Sequence, residues 1–314
     1  MQIRTTTLGT QTTMMNYISS GQSRYYHLSE EAASGKKLTN PSDDPSGAKN
    51  VINTNTRLNQ LSNYTDNMKL AQNELDVLDD TMSSLTSSLQ NAIDLSTQAA
   101  NGSYSQKDLN NIKIQIDQTI QNMVDLANTQ YNGNYIFSGT STGTQAYTLT
   151  KDVAGNITDI TYNGTPSTGQ YQRNVTISDG ISVGINTTGD QVFGDYHSVP
   201  APTGTGLLGN LMTISNALAA GNQATISANL DNLSNNLDTA TVTRTKFASV
   251  TQRFEITQSS IDTSTTQLKS YRSDLQDADL AQVLTDLSAQ ELALQATQQV
   301  TTKLLNGTSL LDYL

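Results

Sequence analysis

The chain of 314 residues has no cysteine, no tryptophan, two histidines and five prolines. Lack of cysteine excludes a disulfide framework whatever the compartment, and His27 and His197 alone make a poor ligand set for zinc. Lysine and arginine total 17 against 28 acidic residues, a net charge of −11 with no basic stripe. That excludes an extended nucleic-acid or anionic-membrane surface. No run approaches the roughly 18 apolar residues of a membrane span, so no membrane insertion is expected. Met1 to Gly21 is polar and threonine-rich, unlike an apolar secretory leader, so no cleaved signal is expected either. Only 35% of residues are apolar, yet only 14% are charged, which departs from the high-charge signature of disorder. Ser, Thr, Asn and Gln fill the remainder, and thin helical cores with long polar faces follow.

What the chain does have is a heptad. Phe247, Phe254, Ile261, Leu268 and Leu275 fall seven apart, and Val250, Thr257, Ser264, Tyr271 and Ala278 each follow by three. Such a stripe needs a partner helix to cover it. Far upstream, Met68, Leu75, Met82 and Leu89 alternate with Ala71, Leu78, Leu85 and Ala92 in the same rhythm. The spacing predicts an intramolecular seam of Met68, Leu75, Leu78, Met82, Leu85 and Leu89 against Phe247, Val250, Phe254, Ile261, Leu268, Tyr271 and Leu275. Asp44 is placed to cap a helix that opens at Pro45, a residue suited to the first helical position. That helix, to about Ala100, and its counterpart from about Thr225 to Gln276 would each extend roughly 80 Å. Between Arg244 and Val250 the stripe reads as slipping phase.

Asn101-Gly102 stops the first long helix. Ser105, with Asp108 three residues on, reads as a capping box for a helix that buries Leu109, Ile112, Ile116, Met123 and Leu126. After Tyr131 the period shortens to alternating runs, with turn signals at Asn132-Gly133, Asn163-Gly164 and Asp179-Gly180. Val199-Pro200-Ala201-Pro202-Thr203-Gly204 reads as the linker that closes this β region. The fold expected is mainly α with an inserted β domain, a long antiparallel helical bundle or coiled-coil rod made from both halves. The rod takes residues 45–140 with 205–279, the β-rich domain 141–204, and the terminal helices 1–44 with 280–314.

Those ends carry apolar residues without an evident cover. Ile3, Leu8, Met14, Met15, Ile18, Tyr25, Tyr26 and Leu28 are too sparse to nucleate a helix alone. The last helix spreads Leu280, Val283, Leu284, Leu287, Leu292, Leu294 and Val300 wider than one seam, and Leu310, Leu311 and Leu314 follow. Ile3, Leu8, Ile18, Leu28, Leu280, Val283, Leu284, Leu287, Leu294, Leu310, Leu311 and Leu314 form the candidate assembly surface, ordered only with neighbours.

Motifs for chemistry fail on context. Gly139-Thr140-Ser141-Thr142-Gly143 matches a nucleophile elbow, but extended sequence follows it where a helix is required. Gly204, Gly206 and Gly209, with Asp231 beyond, match a dinucleotide fingerprint, yet Pro200 and Pro202 precede them and a second helix follows. Asp274, Asp277 and Asp279 lack a calcium-loop spacing and suit helix capping. No catalytic, cofactor or metal constellation remains, and the informative features are mechanical.

Ser34-Gly35-Lys36-Lys37-Leu38-Thr39-Asn40-Pro41-Ser42-Asp43-Asp44-Pro45-Ser46-Gly47-Ala48 resembles the N-terminal signature of the flagellin superfamily. Its Asn40, Pro41, Ser42, Asp43, Asp44 and Pro45 loop has the proline-containing form of hook-associated members, where flagellin itself carries alanines. Gln98-Ala99-Ala100-Asn101-Gly102-Ser103, the run from Ala127 to Thr140, Ile181 to Asp190 and the Ser309 to Leu314 ending are similar to the same family. The resemblance implies a structural protein at the junction of hook and filament, exported unfolded through the flagellar type III apparatus. Implied partners are hook-associated protein 1, flagellin, copies of itself in a ring and an export chaperone. The rivals are a filament subunit and, from another class, a helical membrane-active translocator, which would need a long apolar hairpin that the chain lacks.

Overall fold

The computed structural model describes residues 7–169, 171–198 and 202–306. Three helices come first, α1 (Thr7–Ser34), α2 (Pro45–Ala99) and α3 (Gln106–Ala127). The strands follow: β1 (Gln130–Tyr131), β2 (Asn134–Tyr135), β3 (Tyr147–Lys151), β4 (Ile157–Tyr162), β5 (Asn174–Ser178) and β6 (Ile181–Gly184). After the single-turn α4 (Gly189–Val192) come β7 (Asp195–His197) and β8 (Thr203–Thr205), then α5 (Gly206–Ala220), α6 (Gln223–Gln276) and α7 (Leu280–Asn306). By internal contacts the chain divides into two compact units, Leu61–Ile261 and a second made of Met1–Gln60 with Asp262–Leu314.

In the unit Leu61–Ile261, α2 buries Leu61, Met68, Leu75, Met82 and Leu89 in one row and Ala71, Leu78, Leu85 and Ala92 in the other. On α6 the buried positions Ile226, Leu233, Ala240, Phe247, Phe254 and Ile261 run seven apart without interruption. The expected phase slip near Arg244 is therefore absent. The companion row passes through half-buried Thr243 and Arg244, so the apolar signal lapses there while the helical phase continues. Arg244 forks onto Asp79, Nε to Oδ1 at 2.6 Å and a terminal nitrogen to Oδ2 at 2.9 Å. Gln72 Nε2 donates to Thr251 Oγ1 at 3.5 Å, so numbers fall on α2 as they rise on α6, which is the antiparallel pairing the heptads predict.

The capping box that opens α3 is complete. The Ser105 hydroxyl accepts from Asp108 N at 3.3 Å, and the Asp108 carboxylate accepts from Ser105 N at 3.2 Å. Leu109, Ile112, Ile116 and Met123 are buried as expected and Leu126 is half-buried. Helix α3 packs on α5, which also meets β7 and β8 and so is apolar nearly all round. Gly221, at φ 66°, ends α5, and Gln106 Nε2 donates to the carbonyls of Leu218 and Ala219 at 3.0 and 3.2 Å.

Strands β3, β4, β7 and β8 form one sheet in that order, while β1–β2 and β5–β6 are separate hairpins. Asn132-Gly133 and Asp179-Gly180 lie between the strands of those two hairpins, as their turn chemistry predicts. Asn163-Gly164 is not a hairpin turn, since β4 ends at Tyr162 and β5 begins at Asn174. The side-chain amide of Asn163 instead donates to Thr148 Oγ1 at 2.8 Å. The β3–β4 connection is Asp152 to Asn156, where the Asp152 carboxylate accepts from Asn156 N at 2.8 Å and Gly155 takes φ 86°.

The linker reading of the segment before α5 is overturned within the described residues. Thr203–Thr205 is β8, paired antiparallel with β7, and helix α5 starts at the next residue. Local sequence hid this strand because its partner, not its own composition, makes it one. The three glycines serve close packing: a Cβ on Gly204 would stand 2.6 Å from Gly209 Cα. An antiparallel strand followed by two helices is not the parallel βαβ unit a dinucleotide requires.

Candidate assembly surface

The unit Met1–Gln60 with Asp262–Leu314 is organised by two helix breaks that lie side by side. Lys37 N donates to Gln276 O at 2.8 Å and Ala278 N to Gly35 O at 2.9 Å. Lys37 Nζ donates to Asp274 O at 2.5 Å. The loop before α2 is thereby tied to the break between α6 and α7, a pairing that spacing along the chain does not reveal. Within that loop Asp43 Oδ2 accepts from Asn40 N at 3.1 Å, and Asp44 Oδ1 accepts from Ser46 N and Gly47 N at 3.0 and 2.9 Å. Asp44 is thus the N-cap of α2, with Pro45 at the first helical position. Asp279 caps α7 in the same way, accepting from Ala281 N at 3.0 Å, and Asp277 accepts from the Ser273 hydroxyl at 2.5 Å.

Helix α1, sparse in apolar residues, is a continuous helix of 28 residues lying along α7. Long-range pairing supplies the burial its own spacing does not. Its half-buried positions Met14, Ile18, Gly21, Tyr25 and Leu28 keep a 3-4 rhythm. Gln290 Nε2 donates to Gly21 O at 3.1 Å, and a Cβ on Gly21 would meet Leu294 at 3.3 Å. Of the residues expected on the assembly surface, Ile18, Leu28, Leu287 and Leu294 are half-buried and Val283 is buried. Leu280 and Leu284 face outward. Ile3, Leu310, Leu311 and Leu314 lie outside the described residues, as does the side chain of Leu8.

Outward apolar residues outside that candidate set are Met15, Tyr17 and Tyr26 on α1 and Leu292 and Val300 on α7, each half or more exposed; of these only Tyr17 is absent from the apolar residues the sequence offers. The available signal was negative: they are the apolar residues left over once the 3-4 seam of each helix is assigned.

The long seam is placed as follows. Met68, Leu75, Leu78, Met82, Leu85 and Leu89 are buried, as are Phe247, Phe254 and Ile261, and Val250 is half-buried. Leu268 and Leu275 are half-buried and Tyr271 is exposed, and nearby Arg272 donates to Asn55 Oδ1 at 3.1 Å. The hydrogen bonds from Arg244, with its charge, hold the Asp79 carboxyl below the usual aspartate range. In the β region Tyr147, Phe137 and Phe193 stack edge to face, and burial raises the Tyr147 and Tyr162 phenols far above their ordinary values. Both hydroxyls are donors, to Gly194 O at 2.7 Å and Phe137 O at 2.9 Å.

Ser141 of the elbow-like motif sits in a turn with its hydroxyl 3.0 Å from Thr165 Oγ1, and no helix follows. His197 Nδ1 lies 2.6 Å from Asp159 Oδ1. What the described residues assemble is a pair of terminal helices tied at one end, apolar on the seam and again outside it.

Helices paired by heptads, a prolyl loop bonded to the opposite helix break, and a β region between the long helices define a flagellin-type fold. The family described as the bacterial flagellin N-terminal helical region matches residues 6–142. Flagellar hook-associated protein 3 of Escherichia coli (strain K12) is 27% identical over 305 residues, covering 92% of each chain. The protein of the same name from Salmonella typhimurium is 30% identical over 94 residues, 30% of each chain. Among solved structures, hook-associated protein-3 from Legionella pneumophila has a TM-score of 0.61 at 15% identity, covering 72% of this chain and all but 2% of that one, which is 98%. FlgL of Bacillus cereus has a TM-score of 0.56 at 24% identity, covering 70% and 99%. These two likenesses show the fold. Over residues 6–142 the chain is similar to the bacterial flagellin N-terminal helical region, and along nearly its whole length it resembles hook-associated protein 3.

Proposed function

We propose that this chain is a structural subunit of the bacterial flagellum that joins the hook to the flagellin filament. The observation that carries the reading is similarity across 92% of both chains to a protein named flagellar hook-associated protein 3. The loop with Pro41 and Pro45 supports the junction role over that of a filament subunit. In this reading the division of labour follows three spans: 1–44 with 280–314 inserts into a tube of neighbours, 45–140 with 205–279 is a rigid strut, and 141–204 faces outward. Outward Met15, Tyr17, Leu284 and Leu292 are the surface that neighbours cover. The neighbours are hook-associated protein 1 on one side, flagellin on the other and copies of the chain around the ring, with an export chaperone beforehand. The subunit lies outside the cell and acts by geometry, not by turnover.

Deleting the gene tests the reading. Cells should keep hooks and release flagellin monomers into the medium, and the intact gene should restore filaments. Absence of flagellin from cells and medium alike would identify a filament subunit instead, and normal filaments would overturn the flagellar role.

A further inference from the structure

In the unit Leu61–Ile261 a cleft of about 440 Å³ opens between α2, the β1–β2 hairpin and β5. Buried Ala71, Ile136 and Ile185 line part of it together with Leu70, Val175 and Thr176, and the rest is amide, phenol and one ion pair. That pair is Glu74 of α2 with Arg173. Glu74 is the one charged side chain among the buried described residues, and the Arg173 Nε–H has no acceptor. Burial of such a pair is a poor way to gain stability compared with apolar packing, and a donor left without a partner asks for an explanation beyond structure.

We propose that this cleft binds a neutral saccharide. A sugar ring has an apolar C–H face that rests against an aromatic ring, and hydroxyls that both donate and accept. Tyr131 and Tyr135, half-buried in the cleft lining, supply rings and phenols, and Asn67, Asn134 and Asn174 supply amides that also work in both directions. The one cation lining the cleft is already neutralised by Glu74, which selects against an anionic ligand. An extended peptide laid along β5 would need that strand's outward carbonyls, and the carbonyl of Thr176 already accepts from Asn67 Nδ2 at 3.5 Å. The volume falls within the range of small-molecule sites. This site is independent of the junction role, and failure of either leaves the other standing.

The test is titration of the full chain with maltose, cellobiose, lactose and N,N′-diacetylchitobiose by calorimetry and saturation-transfer NMR. At least one should bind saturably with a Kd on the order of 1 mM, weakened about tenfold or more by Tyr135→Ala and by Asn174→Ala. Asn174 is exposed, so its variant should keep the parent unfolding midpoint and guard against a folding artefact. No saturable binding by any of the four, unchanged affinity in both variants, or tighter competition by a Thr-Val repeat hexapeptide would each overturn the proposal.

Discussion

Met82, Leu85 and Leu89 on α2 are 0% exposed, whereas Leu284 and Leu292 on α7 are 55% and 69% exposed. Both helices carry apolar residues at heptad-like spacing, so spacing alone does not decide burial. The first stretch sits in a unit with three further long or apolar helices and the sheets, and its core closes around it. The second has α1 as its helical partner, and a two-helix seam covers only a narrow stripe on each. Apolar residues beyond that stripe stay in water until something else covers them. The comparison separates what the chain covers by itself from what it leaves exposed.

The sharpest way to break the comparison is to cut both regions equally. Leu89→Ala should cost about 3 kcal/mol in urea unfolding, because a 0%-exposed leucine leaves a cavity. Gly209→Ala should cost about 2 kcal/mol, since its Cβ would stand 2.5 Å from the Gly204 carbonyl carbon and the backbone must move. Arg244→Ala should cost only about 0.5 kcal/mol, because both partners are more than a third exposed and solvent screens the pair. Its pH dependence has a definite sign. The folded-state pKa of Asp79 lies below the ordinary aspartate value of 3.8, so the contribution is whole above that value and fades as pH falls through the lower, folded one. The difference in unfolding free energy between parent and Arg244→Ala should therefore shrink in acid and stay level from pH 5 upward, by about the same half kcal/mol. Leu292→Ser should change unfolding least, within about 0.5 kcal/mol, while abolishing incorporation into flagella scored by microscopy. Equal losses for Leu89 and Leu292 would erase the distinction between the two regions.

Much of this was legible in the sequence because local rules and long-range packing agree. The α2 heptads, the Asp44 cap and the Ser105 capping box follow from residue type and offset, and the structure has each of them. The misreadings share a cause: a partner elsewhere in the chain, and not the segment's own composition, decided the outcome. Thr203–Thr205 is a strand because β7 pairs with it, despite flanking prolines and glycine. Helix α1 forms along α7 in spite of thin local signals, and the α6 heptad passes unbroken through Arg244 because Asp79 meets it there. The outward residues of α1 and α7 were hard to single out since exposure depends on which stripe the partner takes. The tie between the loop at Lys37 and the break at Gln276 is a main-chain bond, invisible to side-chain patterns.

Amide hydrogen exchange compares the two regions directly, in the isolated chain and in the assembled flagellum. In the isolated chain, amides of Met82 to Ala92 should exchange orders of magnitude more slowly than those of Met14 to Leu28 and Leu284 to Val300. On assembly the terminal helices should gain protection approaching that of α2, while α2 itself changes little. Equal protection of both regions in the isolated chain, or terminal helices that stay unprotected in the flagellum, would contradict the account.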